Sequence, residues 1–182
     1  MNMYLLVKGI SELAFFRRLL PADLKSVTTI VTSGGRSNIV SKARSLMVTK
    51  RKPLVLVTDA NVIEKDAVEQ RHQSLHELLR SATAGVPFKV VLAVPEIESW
   101  FFDVPEVVER LSGKQLSLEQ RQLGEIRPKE ALSQIFKAQV SVAHLADELT
   151  EKEVQALRES YPRKDLIEFL EDHVKKSEPQ PA

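Results

Sequence analysis

Residues 54–61 are Leu-Val-Leu-Val-Thr-Asp-Ala-Asn, an uninterrupted apolar run followed almost at once by the carboxylate of Asp59. A short apolar run rich in β-branched residues predicts a strand that is buried on both faces of a sheet. Three further runs of this kind occur at residues 3–7, 27–32 and 88–94. Helical stretches separate the four runs, so the pattern predicts βαβ units and therefore a parallel sheet sandwiched by helices.

The chain beyond residue 104 has only helical patterns, and its charge differs from that of the first part. Residues 1–104 have 14 basic and 10 acidic side chains, whereas residues 105–182 have 12 and 15. We therefore expect an α/β domain over residues 1–104, a helical C-terminal extension packed on it over 105–176, and a disordered tail over 177–182.

Four side chains are expected to cap helices. Ser117 and Thr150 are each followed three residues later by Gln or Glu, which is the spacing of a capping box. Ser11 and Asp165 each stand near the start of a helical run and are expected to act as N-caps.

Composition excludes several classes of protein. The chain has 182 residues, a net charge of +1 and no cysteine, so it is neither a disulfide scaffold nor a polycation built for nucleic acid. No run approaches 18 apolar residues, and residues 1–10 lack the basic start of a signal peptide. These observations predict a cytoplasmic protein with no membrane partner.

Polar side chains follow each predicted strand. Lys8 follows the first strand, residues 33–36 the second, residues 59–61 the third and residues 96–98 the fourth. In open parallel sheets, ligands bind beyond the carboxyl ends of the strands, so these four segments are expected to share one edge.

Four segments in this order resemble the motifs of TOPRIM domains, of the kind related to overcoming-lysogenization-defect nucleases. The resemblance covers about residues 3–102 and rests on four strings, which are LLVKGISELAFFRRLLP, VTSGGRSN, LVLVTDAN and VPEIESW. It implies a TOPRIM/Rossmann-like fold and an activity on nucleic acid, DNA or RNA, in phage defence or repair. It also implies a partner such as an ATPase.

The resemblance also implies a site for Mg²⁺ or Mn²⁺, because acidic side chains hold the metal that neutralises a phosphodiester. Carried over by position, the metal ligands are Asp59, Asn61 and Glu98, with Glu96 as a substitute for Glu98. The family's first glutamate corresponds to Lys8, and its second aspartate to Asn61. The catalytic set implied is therefore Asp59, Glu98 and Lys8.

A protonated lysine cannot ligate a cation. One hypothesis is that the Lys8 ammonium takes the place of the metal, pairing with Asp59 and Glu98 in an inactive or altered site. The alternative is that Lys8 holds a phosphate while the two carboxylates keep one metal. These hypotheses correspond to a catalytically lapsed TOPRIM module, which binds nucleic acid or an ATPase, and to a metal-dependent nuclease. A third interpretation is a receiver-like phosphoacceptor, but no acidic pair follows the first strand.

Phosphate contacts are expected from a glycine turn and from the most basic stretch of the chain. Gly34 and Gly35 precede a helix, where backbone N–H groups bind phosphate. Six cations with no intervening acid follow them, which are Arg36, Lys42, Arg44, Lys50, Arg51 and Lys52. The competing interpretations are an ordinary turn and a solvated helix face.

Simpler roles compete at other positions as well. An aspartate after an apolar strand is often a helix cap or a turn former, and the simpler role for Glu98 is a place on a solvated helix face. His72 and His76 are four residues apart on a predicted helix but have no evident third ligand, so we expect a surface or structural role. The aromatic run 100–102 is expected to lie in the core.

Overall fold

The structure, a computed structural model, describes residues 2–35, 38–83 and 85–176. Its centre is a sheet of four parallel strands in the order β2-β1-β3-β4. The strands are β1 (Met3–Val7), β2 (Thr28–Thr32), β3 (Leu54–Asp59) and β4 (Phe88–Ala93). The α/β class predicted from the apolar runs is therefore confirmed.

Helices make up most of the rest. Four lie within the α/β part, which are α1 (Ile10–Leu19), α2 (Ala22–Val27), α3 (Ile39–Lys50) and α4 (Lys65–Arg80). A 3₁₀ helix, Ile97–Phe101, follows β4. Six more complete the described chain, which are α5 (Pro105–Ser112), α6 (Leu118–Ile126), α7 (Pro128–Phe136), α8 (Val142–Asp147), α9 (Glu151–Glu159) and α10 (Arg163–Lys175). Within the described residues, none of these helices is long and apolar enough to span a membrane.

Both faces of the sheet are buried, each in its own apolar cluster. Alternate strand residues such as Leu5 and Val55 belong to one cluster, and their neighbours Leu6 and Leu56 belong to the other. This alternation follows from the two-residue period of a strand, and it explains why the strands are apolar throughout.

The helices beyond residue 104 pack on one face of the sheet. Leu145 of α8, Leu157 of α9 and Leu166 of α10 are fully buried in the same cluster as Leu5 of β1. The boundary near residue 104 stays a prediction, since this cluster runs across it. The predicted tail, residues 177–182, lies outside the described residues.

The capping predictions are half right. Ser117 and Thr150 both form complete capping boxes. The prediction for Ser11 is wrong, because extended Gly9 occupies the N-cap position and Ser11 lies in the first turn. Asp165 also lies in a first turn, with Pro162 as the N-cap, and it pairs with Lys89 of β4 at 2.7 Å.

Two short helices were missed. α2 and α8 have six residues each, too few to display a period of 3.6. The second strand also begins one residue later than expected, because Val27 ends α2.

Candidate functional site

The strand order creates a crevice at the centre of the sheet. From β1 the chain moves to β2 on one side, and it then crosses to β3 on the other side. Connections that diverge in this way leave a crevice between β1 and β3 at the carboxyl edge, which is where open α/β sheets bind ligands. Lys8 follows β1 and Asp59 ends β3, so both lie at this point.

Lys8 lies between two carboxylates. Its Nζ is 2.6 Å from Oδ2 of Asp59 and 3.0 Å from Oε1 of Glu12. The expected pairing with Asp59 is confirmed. The expected pairing with Glu98 is wrong, because the second carboxylate belongs to Glu12 in the first turn of α1. Glu12 is four residues from Lys8, a spacing that sequence inspection could have used.

Both carboxylates beside Lys8 are shielded from water, since Asp59 is 6% exposed and Glu12 is 8% exposed. Burial alone would lower the pKa of Lys8. The hydrogen bonds and charges of Asp59 and Glu12 outweigh burial and raise it above its ordinary value. The Lys8 side chain therefore remains an ammonium ion throughout the physiological range.

Asp59 also organises the backbone around it. Its Oδ1 accepts a hydrogen bond of 3.1 Å from the N–H of Ile97, the first residue of the 3₁₀ helix. Its carbonyl oxygen accepts from Nε of Arg71 at 3.3 Å. Asp59 thus links three elements, which are β3, the 3₁₀ helix that follows β4, and α4. Both of its carboxylate oxygens have a partner within the protein.

Glu98 does not lie on a solvated helix face. It is 8% exposed, and its Oε2 is buried without a hydrogen-bond partner among the described residues. Its Oε1 lies 3.8 Å from Nζ of Lys129. Burial raises the pKa of Glu98, and the nearby charges of Glu96 and Asp59 act in the same direction.

Lys129, from the first turn of α7, supplies a second ammonium group that sequence reasoning missed. Its Nζ lies 2.6 Å from Oε1 of Glu96. Burial opposes its charge, but the hydrogen bond to Glu96 and the charge of Glu98 raise its pKa. No spacing signal links residue 129 to residues 96–98, because only the packing of α7 brings them together.

The glycine turn borders the same cleft. Gly34 and Gly35 have φ angles of +75° and +137°, values that side-chain-bearing residues rarely adopt. Oγ of Ser33 donates to the carbonyl of Gly35 at 2.6 Å, which closes the turn. The cleft has a volume of about 660 Å³ and is lined by Lys8, Glu12, Gly34, Gly35, Glu98 and Lys129, among others.

Asn61 has a structural role at the end of β3. Its φ of 59° is in the left-handed region, which Asn tolerates better than most residues. Its Nδ2 donates to the carbonyl of Asp59 at 3.0 Å, and its backbone N–H donates to the carbonyl of Pro95 at 2.8 Å. The side chain predicted as a metal ligand thus turns back on its own chain.

The basic stretch divides into two groups. Lys42 and Arg44 lie on α3, whereas Lys50, Arg51 and Lys52 lie at its end, just before β3. α3 has twelve residues and is therefore about 18 Å long, so the second group lies at the opposite edge of the sheet from Lys8. All five are exposed, and none forms an ion pair with another residue that the structure describes. Arg36 lies outside the described residues.

The remaining candidates have structural roles. A ring nitrogen of His72 lies 3.1 Å from the carbonyl oxygen of Val90, and the His76 ring lies 4.8 Å from that of Phe88. Trp100 and Phe101 are buried against Phe15 of α1, which confirms their expected place in the core.

With Lys8 and Lys129 in place, the donor groups at the carboxyl edge do not fit a divalent metal. Within residues 2–35, 38–83 and 85–176, no three His, Cys, Asp or Glu side chains are arranged to hold one. An ammonium group already contacts Asp59, and another contacts Glu96.

Comparison with known proteins found no relative of this chain. No protein-family model, no curated protein and no solved structure matches it.

Proposed function

We propose that this protein is a TOPRIM-like module in which Lys8 replaces the metal, and that it binds nucleic acid without cleaving it. One observation carries this proposal, which is the position of the Lys8 ammonium 2.6 Å from Asp59 and 3.0 Å from Glu12. The four motifs in TOPRIM order supply the family assignment, which also stays a proposal.

The charge of Lys8 disfavours a metal ion at Asp59. A divalent cation at Asp59 would lie next to an ammonium ion that two shielded carboxylates hold in place. Like charges a few Å apart in a partly buried site repel strongly. Asp59 and Glu12 therefore hold the Lys8 ammonium rather than a metal ion.

Binding to nucleic acid is supported by the exposed cations on α3 and at its end. These side chains form no ion pair with another described residue, so they remain available to phosphates. Each phosphate that is neutralised releases counterions, so such binding weakens steeply with salt. A partner ATPase, which the resemblance implies, is part of the same proposal.

The test is fluorescence anisotropy with labelled duplex and single-stranded DNA and RNA, over a range of salt concentrations. The triple variant Lys50→Ala/Arg51→Ala/Lys52→Ala is expected to weaken binding and to reduce the salt slope by roughly 0.9 for each lost contact to a duplex. The matched control removes three exposed cations elsewhere, Lys25, Lys114 and Lys152. An equal loss of nucleic-acid binding in both triple variants would show that residues 50–52 are not a specific binding surface.

A second candidate, the metal-dependent nuclease, is favoured by Oε2 of Glu98, which is buried with no hydrogen-bond partner among the described residues. The two candidates differ in a cleavage assay with Mg²⁺ and Mn²⁺. The lapsed module predicts no cleavage by the natural chain, and cleavage, if any, only by Lys8→Glu/Asn61→Asp. Cleavage by the natural chain that Asp59→Ala abolishes would instead establish the nuclease.

A further inference from the structure

Strand β4 is an edge strand of the sheet, and its residues Val90 and Leu92 are 4% and 7% exposed. Its pairing with β3 runs from the N–H of Leu54, bonded to the carbonyl of Pro87, to the N–H of Ala60, bonded to the carbonyl of Ala93. In a parallel ladder with this register, Lys89 and Val91 also bond inward. The N–H and carbonyl groups of Phe88, Val90 and Leu92 therefore point away from the sheet.

These outward groups make almost no hydrogen bonds to other described residues. The carbonyl of Val90 is 3.1 Å from a ring nitrogen of His72. No other hydrogen bond from a described residue reaches the outward N–H and carbonyl groups of Phe88, Val90 and Leu92. A strand edge in this state is a template for pairing with another extended chain.

The edge lies at the base of a groove of about 530 Å³. One wall comes from α4, with Val68, His72 and His76, and the other begins at Tyr161 and Pro162, just before α10. Tyr161 is 77% exposed, and Val94 at the end of the groove is 37% exposed. The groove therefore combines main-chain hydrogen-bonding groups with apolar walls.

The walls decide which occupant fits. A second copy would offer the same strand at the base of its own groove, and two recessed edges cannot reach each other. A single extended segment can enter. The charged lining residues balance, with Lys65 and Lys89 against Glu69 and Asp165, and Lys89 is already paired with Asp165 at 2.7 Å. A charged segment would therefore gain nothing over an uncharged one.

We propose that the β4 edge binds an extended, uncharged and partly apolar peptide segment of another protein, which adds a fifth strand to the sheet. Main-chain hydrogen bonds to Phe88, Val90 and Leu92 supply affinity, and alternate side chains contact the two walls. The residues that line this groove are different from those that line the cleft at Lys8. A test of this site is therefore independent of a test of the proposed function.

The test titrates the isotope-labelled full chain with the capped peptide Val-Thr-Val-Thr-Val-Thr-Val and follows backbone amide shifts by NMR. The amides of Phe88, Val90 and Leu92 are expected to shift together with the Tyr161 ring. A peptide with alternate residues N-methylated keeps its side chains but loses its donors, and it is expected to bind at least tenfold more weakly. Absence of shifts at these amides at millimolar peptide would overturn the proposal.

Two variants locate the binding. Val90→Pro removes one outward N–H without touching the bonds to β3, and it is expected to weaken binding at least tenfold. Ile30→Pro, at the matching outward position of the opposite edge strand, is the control and leaves binding unchanged. Tyr161→Ala, at a side chain that is 77% exposed, gives a second measure and is expected to weaken binding. Concentration-dependent dimerisation abolished by Val90→Pro would overturn the proposal in favour of a second copy.

Discussion

The Lys8 ammonium is paired with two shielded carboxylates at the point where two strands end. A lysine amine has three donors, and here one is directed to Asp59 and another to Glu12. Glu96 and Glu98 stand in a similar relation to Lys129. The carboxyl edge thus contains four carboxylates and two ammonium groups, and Glu98 is the one whose burial is least compensated.

Replacing Glu98 by Gln is expected to stabilise the protein increasingly as pH rises from 4.5 towards neutrality. Burial raises the pKa of Glu98 in the folded state above its ordinary value of 4.5, so the folded state binds the proton more tightly than the unfolded state does. Stability of the natural chain therefore falls as pH rises through this window, and Gln removes that loss. The measurement is urea unfolding at a series of pH values.

Glu125→Gln, at an exposed position on α6, is the control for removing one carboxylate. If the free-energy difference between Glu98→Gln and the natural chain does not change between pH 4.5 and 7, the electrostatic account of Glu98 is wrong.

At this scale the sequence predicts part of the site. Strand ends share an edge by topology, so Lys8 and Asp59 could be brought together from their positions alone. The partners of Glu98 could not, because Lys129 comes from a helix whose packing is decided by apolar contacts far from residue 98. Asn61 was misleading, since the turn after β3 requires a left-handed residue and Asn suits that position.

Among the elements, α10 is joined to the 3₁₀ helix region by one arginine. Arg163 is fully buried, its Nη2 lies 2.8 Å from Oδ2 of Asp103, and its Nε donates to the carbonyl of Leu157 at 2.6 Å. Its guanidinium carbon is 5.0 Å from the centre of the Trp100 ring. A single side chain of α10 therefore contacts both the end of α9 and the distant segment 100–103.

Arg163→Ala is expected to lower the free energy of unfolding by about 3 kcal/mol, because it leaves a cavity and removes a buried ion-pair partner. Lys164→Ala is the neighbouring control, since Lys164 is exposed and its 3.9 Å pair with Glu159 lies on the surface. That control should change stability by less than about 0.5 kcal/mol. Equal effects of the two substitutions in urea unfolding would show that Arg163 does not join these elements.

The elements themselves were largely predictable. Four apolar runs gave four strands, and two capping boxes gave the starts of α6 and α9. The two missed helices have a common cause, which is their length. α2 and α8 have six residues each, and tertiary packing rather than periodicity selects them.

For the whole molecule, the helices after residue 104 cover a sheet face that would otherwise meet water. The sheet residues of that face, such as Leu5 and Val91, are buried together with Leu145, Leu157 and Leu166. Sequence patterns distinguished the helical part by composition and predicted that it packs on the α/β part, but they did not reveal that both parts share one apolar cluster.

A chain ending at residue 104 is expected not to fold by itself. Exposure of one apolar sheet face removes burial worth roughly 25 cal/mol for each Å² and invites association. The measurement is thermal unfolding followed by circular dichroism, with the intact chain as the reference. A cooperative transition in residues 1–104, close to that of the intact chain, would show that the α/β part is an independent domain.

The central claim is that Lys8 closes the site to metal. Calorimetric titration of Mn²⁺ and Mg²⁺ into the intact natural chain and into Lys8→Gln tests it most directly, with Lys8→Gln/Asp59→Ala as the control. The account predicts no binding to the natural chain, and binding to Lys8→Gln that disappears in the double variant. Binding to the natural chain that Asp59→Ala abolishes, or no binding to Lys8→Gln, would contradict it.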